Sequence, residues 1–453
     1  MRAPPEAGGL RLGRLFALWW PLALTYILVT GGTPIINGSI NRLPRRDHTA
    51  DLASFAIFLQ CIIILHSPLL VTREIAIRMS VDRAGSRRAL LFCLAAGALV
   101  SALEVALGTT ALGPALLHAF TTSADLVSRA HRAFLAASPV PLLIAVRGVY
   151  QAHQIRADDT LFVGLGTLFR LVLTAILGLL VAPRLDIPGP MLGALCLTFG
   201  LVAESVFATG RARARARPPE HSDIPPPGLL RFALPLMFAN LLGVATQFFY
   251  VRIAGAVPAD LQDASVAGFH EVKSIHFLLG AGALALQPLV TAKAHAAADV
   301  PPLRRFAWAS GLLLSGLFAL VAFLAPVREW ILVDLLKEKE GGAVARLAVS
   351  TFAVASALPL LGALRFFLRG VLISRGHTRA ITLSNVVVLA ALAAVVPLGL
   401  LPFPGNGALS AYSVWGLALL LEMSILAWAV RAEREGAAPL PPPVRSPREA
   451  SAG

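Results

Sequence analysis

The chain has 453 residues, of which 57% are hydrophobic and only 14% are charged, and its mean hydropathy is +0.74. A soluble protein carries about 25% charged residues, so this composition excludes an ordinary water-soluble domain and predicts that lipid surrounds much of the surface. The net charge of +14 resides mainly in short loops between apolar runs, where it sets membrane orientation, and we therefore expect no nucleic-acid partner.

Twelve apolar runs of roughly 20 residues predict twelve membrane-spanning helices. The first run lacks a cleavage site behind a short apolar core, so we interpret it as a retained span and not as a signal peptide. The predicted domains are a six-helix bundle over 1–209, a proline-rich cytoplasmic linker over 210–228, a second six-helix bundle over 229–435 and a disordered tail over 436–453. The predicted spans are 15–38, 51–72, 88–113, 130–152, 160–182, 188–209, 229–252, 264–290, 305–326, 346–368, 379–400 and 407–430.

Basic residues between the spans predict the orientation of the chain. They follow the second, eighth and tenth spans and fill the central linker, and all of these segments lie on one side if the N-terminus lies there too. The opposite loops are poorer in basic residues, apart from three arginines after the first span. We therefore expect a multi-pass protein of the cytoplasmic (inner) membrane with both termini in the cytoplasm. The basic residues are Arg73, Arg78, Arg83, Arg87, Arg88, Arg211, Arg213, Arg215, Arg217, Lys293, Arg304, Arg305, Arg369, Arg375 and Arg379, and the exceptions are Arg42, Arg45 and Arg46.

The two halves of the chain repeat each other. FLAASPVPLLIAVR, from Phe134 to Arg147, aligns without gaps on FAVASALPLLGALR, which ends at Arg365, so the offset is 365 − 147 = 218. The same offset pairs Glu204 with Glu422, and near the start of each half the offset is 214. An arginine and a glutamate that recur inside apolar runs indicate a duplication. Six spans in each repeat give both halves one orientation, which predicts a pseudo-two-fold axis along the membrane normal and a cavity between the bundles.

Six stretches of the sequence carry a resemblance to a known family. They are Trp19 to Leu24, Leu52 to Phe55 followed by Pro68, the loop with Arg83, Arg87 and Arg88, His131 to Pro141, Leu358 to Gly370, and Gly405 to Ser424. With these stretches the chain resembles the progressive ankylosis protein family, within the superfamily of MATE-type multidrug exporters and oligosaccharide-lipid flippases. The resemblance extends over nearly the whole chain.

This resemblance implies a twelve-helix fold of two bundles around a V-shaped cavity that works by alternating access. The family is associated with cellular export of small polyanions, namely pyrophosphate, nucleotide triphosphate and citrate. The short, proline-rich C-terminal tail departs from the animal members of the family. A composition rich in alanine, arginine and leucine is typical of a bacterial protein, which leaves the physiological anion open.

Charged residues recur inside the predicted spans. A charge at the centre of a spanning helix costs about 2.5–3.5 kcal/mol on insertion scales, so such residues usually face a cavity or a partner. Arg147 and Arg365, near the cytoplasmic ends of equivalent spans, either clamp the carboxylate or phosphate of a substrate or extend to the lipid headgroups. Glu204 and Glu422, in the last span of each half, either accept protons, pair with these arginines or remain as buried neutral carboxyl groups.

Two further charges have no charged equivalent in the other half. Glu104 lies in the third span and Arg170 in the fifth, and we predict that they pair within the first bundle. Asn37 ends the first span behind Gly31, Gly32 and Pro34, an interruption that is typical of a broken or kinked helix at a binding site. Prolines in the fourth and tenth spans predict a similar kink, either functional or a matter of packing.

The eighth span contains the densest group of polar residues, His270, Glu271, Lys273 and His276. The two histidines and the lysine are three residues apart, which places them on one helix face. A basic stripe beside a carboxylate is typical of an anion site with proton coupling, and equally of a partly solvated helix end. Because no second ligand cluster is present, we expect no metal site and no cofactor.

The sequence therefore predicts an all-α polytopic membrane protein that exports a small polyanion through a central basic cavity. It contains no nucleotide-binding GxxxxGK[ST] loop and no HExxH or GxSxG motif, so we expect a secondary transporter and not an enzyme. A flippase for a lipid-linked phosphate or sugar is the main alternative and would need a lateral apolar portal. A multidrug exporter would need acidic and aromatic cavity residues, and a membrane scaffold would need a docking domain. We expect a monomer whose partners are the bilayer and a small anionic substrate.

Overall fold

In the described part of the computed structural model, ten helices are long and apolar enough to cross a membrane, and the number rises to twelve if each of two bent helix pairs is one span. The described part of the chain is helical and contains no strand. The structure describes residues 11–40, 43, 48–118, 124–181, 184, 187–216, 218, 220, 228–294, 296–335, 342–395, 397–403 and 405–436. The predicted all-α polytopic fold is thereby confirmed.

The helices fall into two consecutive sets. The first set is α1 (Leu12–Ile40), α2 (His48–His66), α3 (Thr72–Met79), α4 (Arg83–Thr109), α5 (Leu112–His118), α6 (Ala124–His131), α7 (Ala133–Ala137), α8 (Val140–Arg156), α9 (Thr160–Ile176) and α10 (Gly189–Arg215). The second set is α11 (Leu229–Ala254), α12 (Ala259–Gly280), α13 (Leu286–Lys293), α14 (Val300–Phe323), α15 (Ala325–Glu329), α16 (Ala343–Ala355), α17 (Leu358–Ser374), α18 (Thr378–Val395) and α19 (Gly407–Gly436).

The sequence repeat recurs in the helix boundaries. The helices α8 and α17 both have 17 residues and begin 218 residues apart, at Val140 and Leu358. The short helices α3 and α13 both have 8 residues and begin 214 residues apart. Each of these short helices follows one 3₁₀ segment, Ser67–Val71 in the first half and Ala281–Ala285 in the second. Both offsets from the sequence therefore describe real equivalences between helices.

The fourth and tenth spans are each broken at the same place. The segment from Ala124 to Ala137 meets α8 at 43°, and α16 meets α17 at 44°. Pro141 and Pro359 occupy the first turn of α8 and α17, where a missing N–H costs no helical hydrogen bond. The kink predicted from these prolines is present in both repeats.

Two expectations about the helices differ from the structure. The helix α1 is not broken at Gly31, Gly32 and Pro34, because it packs along α9 and a transmembrane helix tolerates such residues beside a neighbouring helix, and the alternative of a kink there stays a prediction. The helix α10 continues to Arg215, into the segment predicted as linker. There Arg211 donates to both carboxylate oxygens of Asp159, at 2.7 and 3.1 Å, and these bonds hold the last turns. Most of the remaining linker and the tail from 437 onward lie outside the described residues.

The two halves join at one end of the molecule and separate at the other. One buried apolar cluster contains Leu15, at the start of α1, together with residues of α11, α13 and α17. Two further clusters each belong to a single half, and one of them contains Ile40, at the other end of α1. The joint is reciprocal, because Trp19 donates to the carbonyl of Gly282 at 3.0 Å, and Asn240 donates to that of Ser67 at 2.5 Å. Each half therefore holds the 3₁₀ segment of the other.

Candidate functional site

A cavity of about 330 Å³ lies inside the second half of the molecule. Side chains of α11, α12, α17, α18 and α19 line it, and Leu70 reaches it from the first half. The corresponding space in the first half measures about 10 Å³ and is lined by Thr167 and Arg170 among others, so it holds no more than about one water molecule. The described cavity thus belongs mainly to the second half, and a central cavity between the two bundles stays a prediction.

The cavity contains a cluster of two arginines and one glutamate. Arg365 and Arg369 are one turn apart on α17, so both side chains project toward α19, which carries Glu422. The Nε atom of Arg365 lies 2.7 Å from Oε2 of Glu422, and Nη1 of Arg369 lies 3.7 Å from Oε1. All three residues line the cavity. Two guanidinium groups against one carboxylate leave one positive charge in excess.

This cluster retains unused hydrogen-bonding capacity. The Nε atom of Arg369 and the Oε1 atom of Glu422 are buried and have no hydrogen-bond partner among the described residues, whereas Nε of Arg365 is in contact with Oε2 of Glu422. Buried polar groups without partners are costly, so such atoms in a cavity wall indicate a place for a ligand. The side-chain oxygen of Gln247, another residue of the cavity wall, is also buried without a hydrogen-bond partner among the described residues.

The first half repeats the cluster in a closed form. Arg147 donates to Oε2 of Glu204 at 2.9 Å, and Nη1 of Arg170 lies 3.5 Å from the same oxygen. Gln151 and Thr167 donate to the other oxygen, Oε1, at 3.0 and 2.8 Å. Glu204 is completely buried. Both of its oxygens are thus engaged by the protein itself, and none of these five residues lines the large cavity.

A further pair of charges lies between the two clusters. Arg73 donates to the hydroxyl group of Tyr26, and the neighbouring Glu74 is buried and attracts Arg369 of the second half electrostatically. The prediction that Arg73 and Arg78 belong to a cytoplasmic loop is wrong, because both lie in α3. Arg369 likewise belongs to α17 and not to the loop after it.

These residues were missed because the predicted spans ended at 72 and 368, one residue short of the charge in each case. A signal was present in the sequence. Apolar residues continue beyond Arg73 and Glu74 at Ile75, Ala76 and Ile77, and beyond Arg369 at Val371 and the two residues after it. A charge flanked on both sides by apolar residues is more typical of a buried polar residue than of a loop.

The residues of the predicted basic stripe on α12 do not share one environment. His276 lines the cavity, and its ring centre lies 5.0 Å from that of Trp415. Lys273 instead lies over the rings of Phe269 and Phe277, at 5.8 and 5.7 Å, and does not line the cavity among the described residues. Glu271 is half-buried and also lies outside the cavity wall. His270 and Asn37 belong to α12 and α1, but their side chains lie outside the described part of the structure.

The expected pair of Glu104 and Arg170 is not formed. Glu104 is completely buried and its Oε1 lies 2.5 Å from Nε2 of His66, at the end of α2. Arg170 faces α10 and Glu204. The two residues find different partners because α4 packs against α8 and α7, whereas α9 packs against α1 and α10.

Aromatic side chains form the other side of the cavity. Tyr250 and Trp415 stack at 5.2 Å with an angle of 20° between their rings, and His276 lies against Trp415. Tyr250 also interacts electrostatically with Arg365 and Glu422, so the aromatic wall and the charge cluster adjoin. Although Phe, Trp and Tyr make up only 7% of the chain, four of them line this cavity, namely Tyr250, Phe277, Phe366 and Trp415. Composition alone could not reveal that concentration.

No known protein family and no curated protein matches the sequence. Solved structures do match. A point mutant of the Vibrio cholerae MATE transporter VcmN is 17% identical with a TM-score of 0.73, covering 93% of this chain and 97% of that chain. A MATE protein in complex with MaD5 is 16% identical with a TM-score of 0.73, covering 95% of this chain and 100% of that chain.

A third match is a MOP superfamily transporter from Pyrococcus furiosus, in which a reverse polarity of the binding pocket suggests a different function. It is 15% identical with a TM-score of 0.69, covering 96% of this chain and 98% of that chain. These TM-scores over nearly the whole chain establish a common fold, so the chain has the fold of MATE transporters. The resemblance to the progressive ankylosis family stays a prediction.

Proposed function

We propose that this chain is a secondary transporter that moves an organic anion across the cytoplasmic membrane by alternating access, with both termini in the cytoplasm. The observation that carries the proposal is the cluster of Arg365, Arg369 and Glu422 in the cavity wall, with its excess positive charge and unused N–H groups. Guanidinium groups in apolar surroundings bind carboxylate and phosphate groups through charge-assisted hydrogen bonds. The fold shared with MATE transporters supports the transport mode.

In this mechanism the substrate and Glu422 compete for the same arginines. An anion that reaches the cavity engages the free N–H groups of Arg365 and Arg369 and weakens their contacts with Glu422. Protonation of Glu422 would remove the competition, so a proton and an anion would bind together. The first-half cluster, in which both oxygens of Glu204 are engaged, holds its helices together in every step.

The join between the halves supports alternating access. The halves share an apolar cluster at the end where α1 begins and have separate clusters at the other end. With a cytoplasmic N-terminus, this arrangement is closed toward the cytoplasm. Transport requires the halves to separate there and approach each other at the outer end.

Uptake into proteoliposomes tests the proposal. The assay uses labelled citrate, pyrophosphate and ATP, the anions that the family resemblance implies, together with octanesulfonate as an anion with an apolar tail. We expect uptake of at least one of them, reduced at least tenfold in Arg365→Gln and Arg369→Gln. Arg379→Gln, which changes an exposed arginine of α18, is the matched control and should transport normally. Uptake of none of these anions by folded protein would refute the proposal.

A multidrug exporter is the second candidate function. The stacked rings of Tyr250 and Trp415, together with Glu422, provide an aromatic and acidic wall of the kind that organic cations need. Competition distinguishes the two functions. A cation such as ethidium would inhibit transport in the wild type and bind more tightly in Arg365→Gln, whereas an anion would bind more weakly there.

A further inference from the structure

The cavity of the second half adjoins an apolar groove between α18 and α19. The groove has a volume of about 380 Å³ and is lined by apolar side chains such as Leu392, Leu417 and Leu421. Val388 and Ala418 line both the groove and the cavity, so the two spaces meet at these two small side chains. Only a thin wall at these two side chains therefore separates the cavity of the charge cluster from the groove.

The groove opens toward the surrounding hydrocarbon. Leu417 is 63% exposed and Leu400 is 60% exposed, and both belong to its lining. The lining extends from Val388 along α18 to Pro402, which leads away from the end at which the two halves join. With a cytoplasmic N-terminus, the groove lies at the level of the outer leaflet.

The first half differs at the equivalent position. The counterpart of Val388, 218 residues earlier, is Arg170, whose guanidinium group reaches Glu204 and fills the space. The first half, with Arg170 at this position, has a space of about 10 Å³. The second half, with Val388 at the equivalent position, has a cavity of about 330 Å³. The small side chain of Val388 thus leaves room for a cavity that adjoins the groove in the second half.

We propose that the substrate is an amphiphilic anion whose headgroup binds Arg365 and Arg369 and whose hydrocarbon tail lies in the α18–α19 groove. This inference rests on the proposed function. A cluster with one excess positive charge matches a single anionic headgroup, whereas further charges would remain unpaired against largely apolar walls. The groove provides an apolar surface for a tail, and each buried methylene group strengthens binding. The substrate would reach the cavity sideways from the bilayer.

Calorimetric titration of the full chain in lipid nanodiscs tests the inference. The probes are hexane-, octane- and decanesulfonate below their micellar concentrations, with empty nanodiscs to subtract partitioning into lipid. We expect the affinity of the wild type to rise about threefold to fourfold for each added methylene group. Val388→Trp, which places a large side chain where the two spaces meet, should abolish this rise, and Ala418→Leu should reduce it.

Two controls separate the tail from the headgroup and from the bilayer. Val387→Trp changes the neighbouring, lipid-exposed position of α18 and should preserve the dependence on chain length. Arg365→Gln should weaken all three probes by a similar factor and leave the dependence intact. Melting curves with and without probe verify that each variant is folded.

Two results would overturn the inference while leaving anion transport in place. One is binding of citrate or pyrophosphate as tight as that of decanesulfonate, unaffected by Val388→Trp. The other is a chain-length dependence that is identical in wild type, Val388→Trp and Ala418→Leu. If no anion of either kind binds to folded protein, the proposed function itself fails.

Discussion

At the scale of single residues, the two halves differ at positions that their repeat makes equivalent. Gln151 corresponds to Arg369, and Arg170 corresponds to Val388. Each half therefore has two arginines for one glutamate, but the second arginine comes from α9 in the first half and from α17 in the second. In the first half, protein side chains therefore bind both oxygens of Glu204. In the second half, Oε1 of Glu422 has no hydrogen-bond partner among the described residues, and the cluster faces the cavity.

The glutamate of the open cluster is expected to oppose substrate binding. Glu422→Gln removes the negative charge that competes for Arg365 and Arg369, so anion affinity should rise about tenfold, since a hydrogen bond to a charged group contributes about 1.5–3 kcal/mol. Without ligand the same variant leaves Arg365 without its carboxylate partner and Arg369 with only the attraction of Glu74, and it should unfold at a lower temperature. Titration calorimetry and melting curves with increasing anion measure both effects.

The matched variant in the other half should behave differently. Glu204→Gln breaks a carboxylate with four partners outside the cavity wall, so it should lower the melting temperature whether or not an anion is present. Anion affinity should stay unchanged. A Glu422→Gln protein that binds anions more weakly than the wild type would contradict the competition.

The sequence predicted the Arg147, Glu204, Arg365 and Glu422 positions because the repeat singled them out. It could not predict which cluster is open, because openness depends on the volume that neighbouring side chains leave. The pairing of Glu104 with His66 was missed for a similar reason. Two groups 38 residues apart meet only through the packing of α2 on its neighbours.

At the scale of helices, close approach of α17 and α13 depends on a residue without a side chain. A Cβ atom at Gly370 would lie 2.7 Å from Cβ of Val290 and 3.0 Å from the carbonyl oxygen of Gln287. Neither atom is the end of a flexible chain. The glycine therefore allows contact between the arginine-bearing helix and the helix that ends in Lys293.

Gly370→Ala should accordingly destabilise the protein by about 1–3 kcal/mol, the usual cost of overpacking a tight interface. Thermal unfolding in detergent measures the change. Gly316→Ala on α14 is the control, because a Cβ atom there meets nothing within 4 Å and alanine is the better helix former. Equal melting temperatures for Gly370→Ala and the wild type would show that the interface can relax.

Helix number and the two proline breaks followed from the sequence, because apolar length and proline act locally. The end of α10 near the central linker did not. The last turns of α10 depend on Arg211, which bonds Asp159 and lies 3.5 Å above the ring of Phe162. Partners more than forty residues away in the chain decide where such a helix ends.

At the scale of the whole molecule, one ion-pair cluster spans the two halves at the end where they join. Asp158, in the turn between α8 and α9, accepts from Arg14 at 3.0 Å and from Lys293 of the second half. Its φ is 61°, and its counterpart in the repeat is Gly376, with a φ of 85°. An aspartate where the backbone favours glycine indicates that the side chain is needed.

Asp158→Asn should weaken this cluster and favour conformations in which the halves separate at that end. A partly exposed ion pair contributes about 0.2–1 kcal/mol, so the ratio of separated to joined molecules should rise up to about fivefold. Spin labels attached at the exposed positions Arg87→Cys and Arg304→Cys report the distance between the halves in double electron–electron resonance spectroscopy. The native cysteines Cys61, Cys93 and Cys196 are buried and should label poorly.

Asp125→Asn serves as the control, because Asp125 pairs with Arg129 within the first half. It should leave the distance distribution unchanged. Identical distributions for Asp158→Asn and the wild type would show that the apolar cluster alone holds the halves together.

Arg170 fills the space of the first half, and this has a consequence for the evolution of the two halves. If both halves descend from one duplicated bundle, the ancestral assembly had the same residue at both positions, and thus two open chambers or none. The exchanges at this position and at the position of Gln151 and Arg369 then made the two copies different. The copy with Arg170 is constrained by its own ion pairs, whereas the copy with Val388 can change its specificity without dismantling the scaffold.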